Sequence, residues 1–392
     1  MQLYFDNAAT SFPKPTSVIK AMISYQEECG ASPGRGAYAQ AANATEVLDQ
    51  CRSLLCELVN APSLVHCIFT LNCSDALNLA INGIAAHHRH RNEPVHVVTT
   101  SMDHNSVLRP LHALMLDGVT HTIVDANTET GIVNPNDIAK AITDKTRLVA
   151  VAHGSNVTGT VQDIATISKV CRDIPLLVDA AQTMGHTPID MQEMNIDLLA
   201  FPGHKGLLGP LGTGGLIMQS PMVDIIEPIR FGGTGSESEY PVQPSTLPDK
   251  YESGSHNMVG IYGLEASLNW ILSKGVQSLH DHEMNLCERF IESISSVSNV
   301  RIIGPPTTKN RVGVFSLTFE ERPEVVAKRL EKISGVRCRG GLHCAPFAHK
   351  TMGTDKFGGT VRVSFGPFHS VHDVGHLAKA IEQCSNQVLV KH

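Results

Sequence analysis

The segment FPGHKGLLGP places Lys205 between Gly203 and Gly206, directly after the apolar run DLLAF (197–201). A solvated surface lysine does not need such a setting. A lysine that must approach another backbone or a flat ring does. Other reactive or polar side chains also stand just past apolar runs. Asp179 and Gln182 close PLLVDAAQ, Asn156 follows RLVAVAH in HGSNVTG, and His104 follows VHVVTT in MDHNSVL. Cys73 and Ser74 follow VHCIFT and begin a helical pattern. An amine, a carboxylate, two amides, an imidazole and a helix start can together hold a flat, charged, anionic molecule.

The elements that must position these residues alternate from about residue 64 onward. Short β-rich runs at 65–70, 95–100, 120–126, 147–153, 175–181, 197–201 and 213–219 predict seven strands. Helical periodicity falls between them, over 74–88 with Ser74 as N-cap, over 106–118 ending at Gly118, and over 134–143. RLVAVAH and PLLVDAA are nearly continuous apolar runs, as expected for strands buried on both faces of a parallel sheet. This alternation predicts an α/β domain with a mostly parallel seven-stranded sheet. In such sheets ligands bind beyond the carboxyl ends of the strands, where the residues named above stand.

After about residue 256 the texture changes. MVGIYGLEASLNWILSKG (258–275) predicts a long helix and 277–296 a second. RIIG, VGVFSLTF, GVRCRG and TVRVSFG predict strands interleaved with helices over 322–334 and 371–386. We therefore expect a large domain over 16–270, and a smaller α+β domain over 1–15 and 271–392.

Composition narrows the function. In the 392-residue chain, 42% of residues are hydrophobic and 18% charged, as in ordinary globular proteins. A formal net charge of −7 argues against nucleic-acid binding, which needs concentrated Lys and Arg. The N-terminus MQLYFDNAATSFPKP has no charged region followed by an apolar run, and no stretch reaches membrane-spanning length. Ten scattered cysteines, none spaced C-x-x-C, fit a reducing cytoplasm and weaken zinc-ribbon and thioredoxin readings. HHRHR (87–91) reads as a solvated basic cap on a helix C-terminus rather than a metal tract.

One cofactor accounts for the residues at the strand ends. Pyridoxal phosphate needs a lysine for its Schiff base and a carboxylate on its pyridine nitrogen, here Lys205 and Asp179. Gln182 and Asn156 can each reach the ring oxygen, and His104 can stack on the ring face. Ser74, His204 and the amides after Cys73 can hold the phosphate. No metal is called for. In the second domain, Arg362 in VRVSFG is either an edge-strand arginine with a surface ion pair or a bidentate clamp on a substrate carboxylate. The stretch RGGLHCAPF carries Cys344, which its residue type alone leaves open as core filler, metal ligand, disulfide partner or nucleophile.

The ordered set of motifs resembles a known family. YFDNAATSFPKP, SNVTGTVQDI, VDAAQTMGHTPIDM, FPGHKGLLGPLGTGGL, YESGSHNMVGIYGL, RGGLHCAPF and VRVSFGPFHS are similar, nearly end to end, to the class V aminotransferases of fold type I. The resemblance is closest to cysteine desulfurases and selenocysteine lyases of the R-x-G-x-H-C-A type. It implies that Lys205 carries the cofactor, Asp179 and Gln182 hold the ring, and His104 stacks and handles protons. Arg362, with Asn156, Arg339 and Ala8, would face the substrate. Family members are dimers, and the match of YESGSHN implies that Ser255 reaches the partner's phosphate.

The resemblance further implies that Cys344 is the nucleophile, with Arg339 and His343 as candidate cations lowering its thiol pKa. The implied reaction converts L-cysteine to L-alanine and leaves a persulfide on Cys344 for an acceptor protein. The alternatives are a selenocysteine lyase, or a class V lyase or transaminase that does not use Cys344. The chain departs from the family pattern at Cys73 and Ser74, where threonines are common, at Pro202, where serine is usual, and at Tyr38, where a histidine often stands.

Overall fold

The computed structural model describes residues 3–34 and 36–386. The ends of the expected small domain, residues 1–2 and 387–392, lie outside this range. The first sheet has seven strands: β1 (Cys67–Thr70), β2 (His96–Thr100), β3 (Thr120–Val124), β4 (Thr146–Ala152), β5 (Leu176–Asp179), β6 (Leu198–Pro202) and β7 (Gly214–Met218). Their order is β1-β7-β6-β5-β4-β2-β3. Only β7 runs against the rest: its pairings with β1 and β6 are antiparallel and all the others are parallel.

The helices of this part are α1 (Thr16–Ser24), α2 (Ala39–Val59), α3 (Cys73–His90), α4 (Asn105–Leu114), α5 (Pro135–Ala141), α6 (Ile164–Cys171), α7 (Met222–Ile225) and α8 (Met258–Lys274). Alternate residues of the central strands feed two separate cores. Val149, Val151, Val178 and Leu199 pack with side chains of α2, α6 and α8. Leu148, Ala150, Leu177 and Leu198 pack with α3 and α4 on the other face. Both faces are apolar, so these strands read as continuous hydrophobic runs.

The second sheet is antiparallel, in the order β10 (Arg339–Gly341), β11 (Thr360–Ser364), β9 (Val314–Thr318), β8 (Arg301–Ile303). It packs with α9 (Val276–Ile294), α10 (Pro323–Ser334) and α12 (Val371–Asn386) around Phe290, Phe315, Leu330 and Leu377. The short α11 (Pro346–Thr351) follows β10. Between α8 and α9 the chain turns at Gly275, with φ of 80°. The N-terminal segment lies along this second sheet, with Tyr4 bridged to Arg337 and Asp6 to Ser364. It also reaches the large sheet, where Gln182 Nε2 donates to the Ala8 carbonyl at 3.0 Å.

Several local expectations are corrected. The N-cap of α3 is Asn72, not Ser74, because Asn72 Oδ1 accepts the Asp75 N–H at 3.0 Å. Ser74 is the second residue of the helix, exposed, its hydroxyl 2.6 Å from that of Ser106. The strand expected over GVRCRG starts only at Arg339, so half-buried Cys338 precedes it. Gly340 and Gly341 are strand residues. A side chain at Gly340 would collide with the Pro323–Glu324 backbone at the start of α10. HHRHR does end α3, but it is not wholly solvated: His87 is buried, and His88 and His90 pair with Glu93 and Glu227.

Candidate active site

The carboxyl ends of β2, β4, β5 and β6 open into a cleft of about 640 Å³. Its lining includes Cys73, Ser74, His104, Asn156, Asp179, Gln182, His204 and Lys205, so eight of the side chains singled out in the sequence converge there. That volume suits a cofactor with a small substrate.

Lys205 stands three residues past β6. Gly206 packs against the Met184 carbonyl and the His186 ring, and Gly203 against Thr213, where a Cβ would clash in each case. The glycines therefore bring the lysine backbone onto neighbouring chain. Burial lowers the Lys205 pKa, while the Asp179 carboxylate opposes that shift. The turn is further held by its His204 carbonyl, which accepts from the Ser11 N–H at 3.0 Å and the Thr10 hydroxyl at 3.2 Å. Lys14, its own amine lowered to about 8 by burial, donates to the Ser11 hydroxyl at 2.9 Å.

Asp179 is buried at the end of β5. Its Oδ1 accepts the Ala181 N–H at 2.9 Å and the Cys73 thiol at 3.4 Å. Cys73 thus supports the carboxylate. His104 caps α4, its Nδ1 accepting the Ser106 N–H at 3.1 Å. Burial first, then the charge of Lys205, lowers the His104 pKa to about 4, so the ring is neutral at pH 7. The turn before it is pinned by Asp103, which sequence reading missed. Asp103 accepts from the Thr99 and Thr100 hydroxyls, the Thr100 N–H and the Ala152 N–H. It thereby ties β2 to β4.

The residues present fit pyridoxal phosphate. His204 Nδ1 is buried without a partner beside the start of α3, where helix amides and Ser74 favour an anion. Asp179 has an oxygen left for the ring nitrogen, and Lys205 Nζ can attach the cofactor. Pro202 ends β6 on the same wall and offers neither hydroxyl nor N–H.

A second wall, from the small sheet, adjoins this cleft at Asn156. Arg362 lies on β11, between β10 and β9, and is 3% exposed, so the edge-strand reading is wrong. Its Nη1 donates to the Asn156 carbonyl at 3.2 Å and its Nη2 to Asp6 Oδ1 at 2.9 Å. Its Nε is buried without a partner. Exposed Arg339 turns to the same carboxylate, with Nη2 2.9 Å from Asp6 Oδ2. Asp6 was not singled out in the sequence, although it stands two residues before Ala8 in the matched N-terminal segment.

Cys344 is exposed and free on the turn after β10. His343 and Cys344 both adopt left-handed backbone, with φ of 49° and 57°. The large domain holds that turn. Asn156 Nδ2 donates to the His343 carbonyl at 2.6 Å, and the Asn105 N–H to the Cys344 carbonyl at 2.8 Å. Asn156 therefore holds the cysteine turn with one N–H and has another left for the ring. His343 is buried and its pKa falls well below the usual value, mainly by desolvation, so it is no cation for the thiol. Arg362 does interact electrostatically with Cys344. Cys338 is excluded as a rival nucleophile, because burial raises its thiol pKa to about 12. Ser255 is exposed outside the cleft, on a neighbouring depression lined by Thr70, Leu71 and Arg230.

The fold and this cleft define a pyridoxal-phosphate enzyme of fold type I. Over residues 3–377 the chain matches Aminotransferase class-V, and it belongs to that family. It is 35% identical to a probable cysteine desulfurase of Methanothermobacter thermautotrophicus, over 97% of this chain and 94% of that one. It is 31% identical to a probable cysteine desulfurase of Pyrococcus abyssi, with the same coverages. The apo structure of a cysteine desulfurase from Thermococcus onnurineus superposes with a TM-score of 0.90 at 30% identity, covering 98% of this chain and 95% of that one.

Proposed function

We propose that this protein is a cysteine desulfurase, moving sulfur from L-cysteine onto Cys344 and releasing L-alanine. The observation that carries this reading is the placement of Cys344. The turn that carries this exposed thiol is held through its His343 and Cys344 carbonyls by Asn156 and Asn105, and Asn156 lines the cleft with Lys205, His104 and Asp179. A lyase or transaminase has no use for that thiol. The names of the similar proteins support the same reading.

When bound, pyridoxal phosphate supplies an electron sink that loosens the substrate's Cα–H and then its Cβ–Sγ bond. Lys205 Nζ would hold the cofactor covalently, and its amine is placed to take the substrate's Cα proton. Asp179 keeps the ring nitrogen protonated. Arg362 orients the substrate through its carboxylate, with Ala8 and Asn156 on the same wall. Cys344 attacks the substrate sulfur as thiolate; the new S–S bond forms as Cβ–Sγ breaks, and the carbon fragment regains protons to leave as alanine. Neutral His104 can accept and return a proton on the substrate side. The persulfide then passes to an acceptor thiol.

The reading extends to assembly and setting. Ser255 and the exposed Leu71 and Leu211 lie by the mouth of the cleft, which supports a homodimer in which Ser255 serves the partner's cofactor. Ten free cysteines support a cytoplasmic setting. Among the described residues no helix is long and apolar enough to cross a membrane. The expected division after residue 270 falls inside α8; a division at Gly275, with 1–15 joining the smaller domain, is supported by α8 packing on α1 and α2 while α9 packs on α12.

The test is a product assay on the loaded enzyme with L-cysteine. Alanine with a stoichiometric persulfide on Cys344 is expected. Pyruvate and ammonia without persulfide would overturn the reading in favour of a lyase.

A further inference from the structure

Arg339 and Arg362 are direct cross-strand partners on β10 and β11. Like charges opposite one another on adjacent strands repel, and Arg362 is nearly inaccessible to screening water. A third segment resolves the conflict. Asp6, bridged to Ser364 at the far end of β11, places one carboxylate between the two guanidinium groups. Its Oδ1 accepts from Arg362 Nη2 at 2.9 Å, and its Oδ2 from Arg339 Nη2 at 2.9 Å and Nε at 3.2 Å. Two cations and one anion leave a single positive charge. That charge stands where Arg362 acts electrostatically on Lys205, His104 and Cys344.

We propose that Asp6 is a positioning and specificity residue. It fixes the Arg362 fork and sets the substrate-carboxylate site at one net positive charge, matched to a single carboxylate. The inference rests on the reading of Arg362 as the clamp for the substrate α-carboxylate. A free site carrying both arginines without Asp6 would have charge to spare for a second anionic group, and an amino acid with an acidic side chain would compete. With Asp6 in place, one carboxylate completes the neutral set, and a side-chain anion meets no further cation. Arg362 also keeps its fork in one plane, because Nη1 is held by the Asn156 carbonyl and Nη2 by Asp6.

The experiment uses the pyridoxal-phosphate-loaded enzyme. Dissociation constants for L-alanine and L-aspartate are read from the change each makes in the cofactor's visible absorbance, alongside steady-state turnover of L-cysteine. Asp6→Asn should raise KM for cysteine about tenfold with kcat within about twofold, and move the alanine-to-aspartate preference about tenfold toward aspartate. Asp6→Glu should restore most of both. Arg339→Gln, an exposed change that spares the fold, should move the same preference away from aspartate. A merely structural Asp6 would weaken both ligands equally in every variant. Unchanged preference in Asp6→Asn and Arg339→Gln overturns the proposal. Arg362→Ala separates the two levels. If it raises KM while the other variants do nothing, only the role of Asp6 falls; if it leaves KM unchanged, the reading of Arg362 falls too.

Discussion

The two walls of the cleft are built in opposite ways. The cofactor wall is local: Lys205, Asp179, Asn156 and His104 each stand within a few residues of the end of a parallel strand. Strand order alone brings them together. The substrate wall is assembled from Asp6, Arg339, Cys344 and Arg362, which come from the N-terminus and three places in the small sheet. Main-chain carbonyls fasten it to the first wall. Asn156 spans both, its amide on the His343 carbonyl and its own carbonyl on Arg362. The difference teaches that the cofactor site belongs to the α/β sheet, whereas the reaction type depends on how the small sheet is docked.

The comparison can be broken most sharply at Lys205. Lys205→Ala should lose the lysine-bound cofactor's visible absorbance and lower turnover by at least about 10³-fold. An absorbance that persists unchanged would deny Lys205 its place on the cofactor wall. Cys344→Ala tests the other wall. Alanine and sulfide release from cysteine should fall by about 10²- to 10³-fold, with the absorbance intact. Normal sulfide release would show that the substrate wall carries no nucleophile. Asn156→Ala should affect both walls, lowering kcat/KM by about 10²-fold and speeding alkylation of Cys344 in the cofactor-free protein. If alkylation does not change, the cysteine turn is not held from the large domain.

A pH titration sharpens the contrast more gently. Burial lowers the pKa values of His104, His153, His204 and His349 to about 4. Unfolded histidines titrate near 6.5, so between those values the unfolded chain binds more protons than the folded one. Stability present above pH 6.5 is therefore lost as pH falls toward 4. The melting temperature should drop steadily across that window, and a flat profile would contradict the burial of these rings. The smallest effect is expected for Ser74→Ala, a few-fold weaker cofactor affinity measured by equilibrium dialysis, because α3 amides and His204 remain.

Sequence legibility followed the same division. The seven strands and the residues at their ends were readable, most plainly in the central β4, β5 and β6, whose apolar runs are buried on both faces; the reversed direction of β7 was not. Ser74 was misread as an N-cap because Asn72, two residues further out, has the better-placed oxygen. The need for glycine at position 340 was not readable, because only the packing of α10 against β10 shows why Gly340 must lack a side chain. His343 was misread as a cation because its burial depends on the fold of the small sheet, and adjacency to Cys344 carries no information about water. Asp6 escaped notice because its partners are more than 330 residues away.

The sequence by itself determined the α/β class and the cofactor class, and it singled out Lys205 as the lysine proposed to hold that cofactor, since these rest on residues at fixed short distances from strand ends. It also singled out Cys344 and Arg362 by their resemblance to a family. Tertiary structure alone decided what surrounds them: which carboxylate balances the two arginines, which amide clamps the cysteine turn, and which histidines are too buried to be charged. Strand and helix patterns arise from contacts a few residues apart, while charge balance, desolvation and docking arise from groups that meet only when distant segments pack.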